Sequence, residues 1–237
     1  MIVLAIDTCD SRGSVAVLRD DAILHVVVHG STEDYSSWLL PAVGQVLKAS
    51  GLEVERLGGY AVAAGPGSFT GVRVGLTTVK AWGEVYGKRI AAVSRLEAIA
   101  IQAAAGSEHV AAFVDAQRGQ VFGGIFQRKG KDLERVGEEM VITPARFIES
   151  AAEIAKGGSL SWVSIDAACL ASEENWKTRE GRGEKLESVS STLAPAIGKI
   201  GMAQLAAGRF TDALSLDANY VRRSDAETFW KGAAHGG

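Results

Sequence analysis

A chain of 237 residues, with 47% apolar and 22% charged residues, is long enough to bury a sizeable core in one domain or in two lobes. Its net charge of −3 argues against a chain that holds an RNA backbone by itself, because that task needs an excess of lysine and arginine. No apolar run approaches the roughly 18 residues that cross a membrane, the N-terminus lacks a leader-like segment, and Cys9 and Cys169 are too few for a disulfide framework. We therefore expect a cytoplasmic protein.

The first part of the chain predicts three antiparallel strands followed by strand and helix units. Predicted strands cover residues 1–7, 13–19, 22–29, 60–64 and 89–93. Ser31, Thr32 and Asp34 offer N-caps for a helix that reaches about residue 50, and Pro41 is expected to start a new turn or to kink it. A second helix is predicted at 71–87. Ser94, with Glu97 three residues on, predicts the start of a third helix.

The second half of the chain repeats the plan of the first. Strands at 110–115 and 120–128 flank a turn that follows Asp115, as the first two strands flank a turn that follows Asp7. Together with the order of the elements, this repeat predicts an α/β protein with two lobes of similar plan, residues 1–106 and 107–237. The other predicted elements of the second lobe are a helix at 144–156, a strand at 161–166, a loop at 172–188, a helix at 195–208 and a frayed end at 227–237.

The glycine-rich stretch GPGSFTGVRVG at 65–75 marks a junction between a buried strand and a helix. Its glycines and Pro66 favour a tight loop, and Ser68 or Thr70 can cap the helix that follows. Amide groups at a helix start can hold an anion, but the spacing fits neither the Walker A loop nor the Rossmann fingerprint. Two interpretations stay open: a tight turn that lets strand and helix pack closely, and an anion or nucleotide contact. The candidate contact residues in the stretch are Gly65, Pro66, Gly67, Ser68, Phe69, Thr70, Gly71 and Arg73.

Two histidines have the spacing of a helical metal pair. His25 and His29 are separated by three valines, which favour a strand, and positions four apart on a strand lie roughly 13 Å from each other. The two rings cannot share an ion, and we expect them to be exposed or to face a sheet edge. His109 and His235 fall in a predicted loop and in the tail, so the sequence predicts no metal site.

Three motifs together closely resemble the TsaB (YeaZ) family. They are MIVLAIDTCDSRGSVAVL at the N-terminus, GPGSFTGVRVG at 65–75 and VDAQRGQVF at 114–122. The resemblance covers most of residues 1–127, touches residues 220–222, and is slight between 128 and 215. It implies the two-lobed superfold of actin, sugar kinases and heat-shock ATPases. It also implies a bacterial subunit that supports the enzyme TsaD in forming threonylcarbamoyladenosine on tRNA next to the anticodon.

The resemblance further implies that the chain has no catalytic centre of its own. TsaD relatives hold a metal with a His-x-x-x-His pair, and the matching positions here are Arg95 and Ile99, whose side chains do not ligate metals. Acidic residues at the end of the first strand steer magnesium or phosphate in this superfold, so Asp7 joins the candidate contacts, although a structural or partner-facing role is favoured. We expect no metal and no cofactor in this chain alone, with ATP or ADP as a candidate ligand at the interface of the complex.

The predicted partner surface is formed by the helices at 33–50 and 71–87, where two helices of TsaD would complete a four-helix bundle. Its candidate residues are Leu39, Leu40, Val43, Leu47, Gly71, Gly75, Thr78 and Gly83. By the same resemblance, TsaE is a further partner, two copies of the chain pair when TsaD is absent, and tRNA is reached only through the complex. Asp34-Tyr35 departs from the Glu-His pair usual in relatives. The alternative function is a stand-alone ATP-dependent phosphotransferase or hydrolase of the same superfold.

Overall fold

Residues 1–20, 22–30, 33–219 and 221 are described by the computed structural model, and their first part forms a five-stranded mixed sheet. Its strands are β1 (Ile2–Asp7), β2 (Ser14–Arg19), β3 (Ala22–Val28), β4 (Gly59–Ala63) and β5 (Arg89–Val93). They lie in the order β3-β2-β1-β4-β5, antiparallel within the meander β1–β2–β3 and parallel between β1, β4 and β5. Every residue of β4 is buried, as expected of a parallel strand covered on both faces.

The second sheet repeats the strand order and directions of the first sheet and adds one strand. Its strands are β6 (His109–Asp115), β7 (Val121–Lys129), β8 (Asp132–Arg135), β9 (Met140–Ile142), β10 (Leu160–Ser164) and β11 (Leu186–Ser188). They lie in the order β8-β7-β6-β10-β11, and β9 pairs with β7 as well. β6, β7 and β8 are antiparallel, whereas β6, β10 and β11 are parallel. The predicted duplication of one α/β plan in two lobes is therefore confirmed.

Helices cover the faces of both sheets. They are α1 (Tyr35–Ala49), α2 (Phe69–Tyr86), α3 (Arg95–Ala100), α4 (Pro144–Ala155), α5 (Ala168–Ala171), α6 (Glu174–Glu180) and α7 (Ala194–Ala206). α1 and α2 pack on one face of the first sheet, and α7 packs on the other face against β1, β2, β4 and β5. α3 packs on β6 and β7 and also touches α7, so these two helices fill the space between the sheets. None of the helices in the described ranges is long and apolar enough to span a bilayer.

Two helices pack across the predicted lobe boundary at 106/107, and the boundary itself stays a prediction. α7 belongs to the second half of the chain but packs on the first sheet, whereas α3 precedes the boundary but packs on the second sheet. The two helices are largely buried, and each covers the apolar face of the sheet that the other half of the chain provides. The lobes are thus interleaved rather than consecutive.

The prediction of a loop at 172–188 is wrong, because this stretch contains α6 and β11. Trp176 is 2% exposed and packs edge-to-face on Trp162, with ring centroids 5.5 Å apart, while Glu174, Lys177 and Glu180 of α6 are exposed. α1 continues through Pro41. The proposed caps Ser31 and Thr32 and the predicted frayed end lie outside the described residues.

Candidate functional site

The loop between β4 and α2 is held against the residues that follow β1. The backbone amide of Ser68 donates to the Cys9 carbonyl at 2.6 Å. A glycine is needed at position 67, because a Cβ atom there would lie 2.4 Å from the Cys9 carbonyl oxygen. Ser68 caps α2, its hydroxyl accepting from the Gly71 amide at 3.4 Å. This geometry supports the tight-turn interpretation, and an anion contact at the loop stays a prediction.

Behind the loop, Arg95 forms ion pairs with two acidic residues near the end of β1. The Arg95 side chain is 1% exposed; its Nε lies 3.6 Å from Oδ2 of the fully buried Asp7, and its Nη2 contacts Oδ2 of Asp10. Asp7 Oδ1 accepts from the Cys9 amide at 2.9 Å, whereas Asp7 Oδ2 and Arg95 Nε make no aligned hydrogen bond within the described part of the chain. Arg95 is thus the fixed counter-ion of two carboxylates.

The same charges set the chemistry of the neighbouring groups. Burial opposes the ionisation of Asp10, but the charge of Arg95 and hydrogen bonds from Arg12 and Arg95 together lower its pKa to about 2. Burial, reinforced by the charge of Asp7, raises the pKa of the Cys9 thiol well above its ordinary value. A pKa raised in this way keeps the Cys9 thiol protonated at neutral pH.

Arg12, in the turn between β1 and β2, reaches across to the second sheet. Its Nη1 donates to Asp166 Oδ1 at 2.6 Å, and its Nη2 donates to Asp166 Oδ2 at 3.2 Å. Asp10 orients Arg12 from behind, accepting from its backbone amide at 2.8 Å and from its Nε at 3.1 Å. Asp166 is held in turn by the Asp115 amide, which donates to Oδ2 at 3.0 Å. We call this two-pronged contact the Arg12–Asp166 bridge.

A cavity of about 480 Å³, here called the interlobe cavity, opens between the two sheets. Its charged lining residues are Asp10, Arg95, Asp115 and Arg118, and its apolar ones include Pro66, Phe69, Val72, Phe122 and Val221. Two acidic and two basic side chains leave no excess charge. Of the predicted contact residues, Pro66, Gly67, Ser68 and Phe69 line this cavity, whereas Asp7, Gly65, Thr70, Gly71 and Arg73 do not.

A second depression, the α1–α2 groove, runs between the two helices on the outer face of the first sheet. Its volume is about 530 Å³. The lining residues are Tyr35, Ser36, Leu39, Leu40, Phe69, Thr70, Arg73, Val74, Thr77 and Thr78. Leu40 is 58% exposed and Phe69 is 40% exposed, with the Arg73 guanidinium 3.7 Å from the centroid of the Phe69 ring. The lining of the groove is therefore mixed: Leu39, Leu40, Phe69 and Val74 are apolar, and the other lining residues carry polar groups.

The predicted partner surface is only partly located at this groove. Leu40 and Thr78 line the groove with the nearly buried Leu39, whereas Val43 is buried and Leu47 packs half-buried against the core. The three glycines face the first sheet, so the prediction that they meet a partner is wrong. A Cβ atom would lie 2.1 Å from the Thr8 carbonyl oxygen at position 71, 2.7 Å from Thr8 Oγ1 at position 75 and 2.8 Å from Ile90 Cδ1 at position 83.

Seven groove residues were not assigned to the partner surface by the sequence analysis: Tyr35, Ser36, Phe69, Thr70, Arg73, Val74 and Thr77. The last two, with Thr70 and Arg73, follow one stripe of α2 at helical spacing. This stripe lies beside the buried stripe of α2. Its helical spacing is the feature of the sequence from which these groove residues could have been predicted.

Two of the histidine predictions, those for His29 and His109, need correction. His29 is 8% exposed, and its two ring nitrogens lie 3.1 Å from the Ser11 carbonyl oxygen and 2.8 Å from the Glu33 carbonyl oxygen. His109 is also buried and begins β6 instead of lying in a loop. Within the described ranges, no group of three or more His, Cys, Asp or Glu side chains is placed to hold a metal ion.

The duplicated sheets and the interleaved helices define a member of the two-lobed actin-like superfold. A solved structure of YeaZ from Pseudomonas aeruginosa matches with a TM-score of 0.72 at 24% identity, covering 92% of this chain and 99% of that one. The ROK hexokinase from Thermus thermophilus matches with a TM-score of 0.53 at 13% identity, covering 86% of this chain and 100% of that one. Both likenesses concern the fold.

The family described as "TsaD: tRNA N6-adenosine threonylcarbamoyltransferase" matches residues 26–181, well over half of the chain, and the chain belongs to this family. Within it, the chain is a TsaB/YeaZ member. A Bacillus subtilis relative named "tRNA threonylcarbamoyladenosine biosynthesis protein TsaB" is 34% identical over 149 residues. That match spans 63% of this chain and 65% of the relative.

Proposed function

We propose that this chain is a non-catalytic subunit that binds TsaD at the α1–α2 groove and supports TsaD in forming threonylcarbamoyladenosine on tRNA next to the anticodon. The pathway follows the names of its relatives, one of which is a biosynthesis protein for this nucleoside. The observation that carries the proposal is the groove itself. It exposes Leu40 and Phe69 between two long helices, a surface suited to an apolar helix of a partner.

The buried charges support a non-catalytic role. A catalytic magnesium or phosphate site needs ionised groups that are free to meet the ligand. Here the guanidinium of Arg95 already pairs with Asp7 and Asp10, and it would repel a metal ion at that place. The thiol of Cys9 is protonated. The inner end of the interlobe cavity thus contains a neutralised set of side chains.

The other partners belong to the same proposal. TsaE joins the complex, and ATP or ADP binds where the subunits meet. The tRNA is contacted only through the complex, because a net charge of −3 gives this chain little attraction for an RNA backbone. Without TsaD, two copies of the chain pair through their grooves. The cytoplasm is the proposed location.

The binding site is tested with Leu40→Asp. A carboxylate placed among the groove residues loses its hydration when the partner docks, so we expect the Kd for purified TsaD to rise by at least about tenfold. The matched control is Leu214→Asp, because Leu214 is 90% exposed and does not line the groove. Isothermal titration calorimetry gives both Kd values, and light scattering shows whether either variant alters the pairing of two copies.

An unchanged Kd for Leu40→Asp, or an equal loss in the two variants, would contradict docking at the groove. Failure of the unmodified chain to bind TsaD would contradict the subunit function. The second candidate function, a stand-alone phosphotransferase or hydrolase, finds its support in the interlobe cavity, whose volume suits a small ligand.

A further inference from the structure

Tyr35 touches both the α1–α2 groove and the turn between β1 and β2. It is the first residue of α1 and lines the groove. Its hydroxyl accepts from the Gly13 amide at 2.8 Å and donates to the Asp10 carbonyl. The ring lies directly on the turn, since a Cβ atom at Gly13 would be 2.3 Å from the Tyr35 hydroxyl oxygen. Any shift of Tyr35 must therefore move the turn or break both hydrogen bonds.

The same turn carries the Arg12–Asp166 bridge. Asp10 presents its backbone carbonyl to Tyr35 and its carboxylate to Arg12, so one residue lies between the two contacts. Asp166 is fixed on the opposite side, because its backbone amide donates to Ser164 Oγ at 2.8 Å. A continuous series of direct contacts thus runs from the groove, through the turn, to the second sheet.

We propose that Tyr35 is a positioning residue that couples the α1–α2 groove to the Arg12–Asp166 bridge, so that TsaD bound in the groove holds the two sheets in one arrangement across the interlobe cavity. The identity of the occupant rests on the function proposed above. Because coupling between two sites is reciprocal, weakening the bridge lowers the affinity of the groove for TsaD, although neither Arg12 nor Asp166 lines the groove.

The test compares Tyr35→Phe, Asp166→Asn and the double variant in TsaD binding. We expect each single change to raise the Kd by about three- to tenfold, and the double change to cost little more than one alone, because both interrupt the same series of contacts. Tyr60→Phe is the control: it also removes one tyrosine hydroxyl, and the Tyr60 hydroxyl has no hydrogen-bond partner among the described residues. Arg12→Lys is a second bridge variant that keeps the charge but loses the two-pronged contact.

Hydrogen exchange gives a second readout. TsaD is expected to slow exchange at residues 164–168 in the unmodified chain and to do so less in Tyr35→Phe. The coupling is overturned if the unmodified chain binds TsaD while Asp166→Asn and Arg12→Lys bind equally well and residues 164–168 do not respond. If the unmodified chain does not bind TsaD, the proposed function fails. In that case the coupling is tested in the free chain, by comparing hydrogen exchange at residues 164–168 in each variant with that in the unmodified chain. The coupling fails if Tyr35→Phe, like the control Tyr60→Phe, leaves this exchange unchanged.

Discussion

Arg95 stands where the family resemblance placed a metal ligand of TsaD relatives, and the structure shows what the replacement does. Its guanidinium is buried between Asp7 and Asp10 and occupies the position of a counter-ion for both. Burying two carboxylates is costly without such a charge. A single residue thereby stabilises the first hairpin and closes the inner end of the interlobe cavity.

Arg95→Met tests this role at the level of stability. The change leaves the fully buried Asp7 without its counter-ion, whereas Asp10 keeps Arg12, so we expect the free energy of unfolding to fall by about 3–5 kcal/mol in denaturant titrations. Arg146→Met is the control, because the Arg146 side chain is 76% exposed, and its effect should stay within about 0.5 kcal/mol. Arg95→Lys should recover part of the loss. Equal and small effects in all three variants would show that Arg95 is not the counter-ion.

The sequence motifs identified Arg95 as a position of interest, but they did not predict its ion-pair partners Asp7 and Asp10. The Arg12–Asp166 bridge was not predicted either. The bridge joins Arg12 to a residue 154 positions away, and its formation depends on how the two sheets are placed relative to each other. Local patterns report which face of an element is apolar, not which distant side chain lies opposite. The sequence analysis noted Tyr35 only because Asp34-Tyr35 departs from the pair usual in relatives, and it predicted no contact for the Tyr35 side chain.

Among the elements, α2 shows how a correct boundary can carry a wrong orientation. Ser68 or Thr70 was predicted to cap it, and Ser68 is the cap; Val72 and Leu76 lie on its buried face. Gly71 and Gly75 precede these residues and belong to the same buried face. Small residues permit close approach to any neighbour, and here that neighbour is the chain's own sheet, not a second protein.

Two helical glycines make this orientation testable. Gly75→Ala places a methyl group 2.7 Å from Thr8 Oγ1, so we expect a loss of about 1–3 kcal/mol from overpacking. At Gly44, inside α1, nothing lies within 4 Å of the added atom, so Gly44→Ala should stabilise the protein by about 0.5–1 kcal/mol through helix propensity. Thermal unfolding measures both. A stabilised Gly75→Ala with weakened TsaD binding would restore the partner-facing interpretation.

Regular strands were predictable because short apolar runs bounded by turn residues have few alternatives. The stretch at 172–188 was not, because its charges and glycines are typical of a loop, and only Trp176 marks the buried side of α6. The helix was missed because a single buried residue leaves no periodicity to detect.

At the scale of the whole molecule, the chain consists of two copies of one sheet whose covering helices are exchanged. The repeat in strand order was visible in the sequence, since both halves open with a strand, a turn after an aspartate and a second strand. The exchange of α3 and α7 was not, because a helix carries no local mark of the sheet it covers. The described residues thus form two sheets joined by exchanged helices, with the α1–α2 groove on the outer face of the first sheet and the charge-balanced interlobe cavity between the sheets.

Reconstituted threonylcarbamoyl transfer to tRNA measures the central claim most directly. The chain alone, TsaD alone and the mixture are supplied with tRNA, ATP, the activated threonylcarbamoyl donor and TsaE, and ATP turnover by the chain alone is measured separately without TsaE. We expect modified tRNA in substantial amount only when this chain and TsaD are both present, and no rapid ATP turnover by the chain alone. Transfer or rapid ATP hydrolysis by the chain without TsaD, or full activity of TsaD without the chain, would contradict the account.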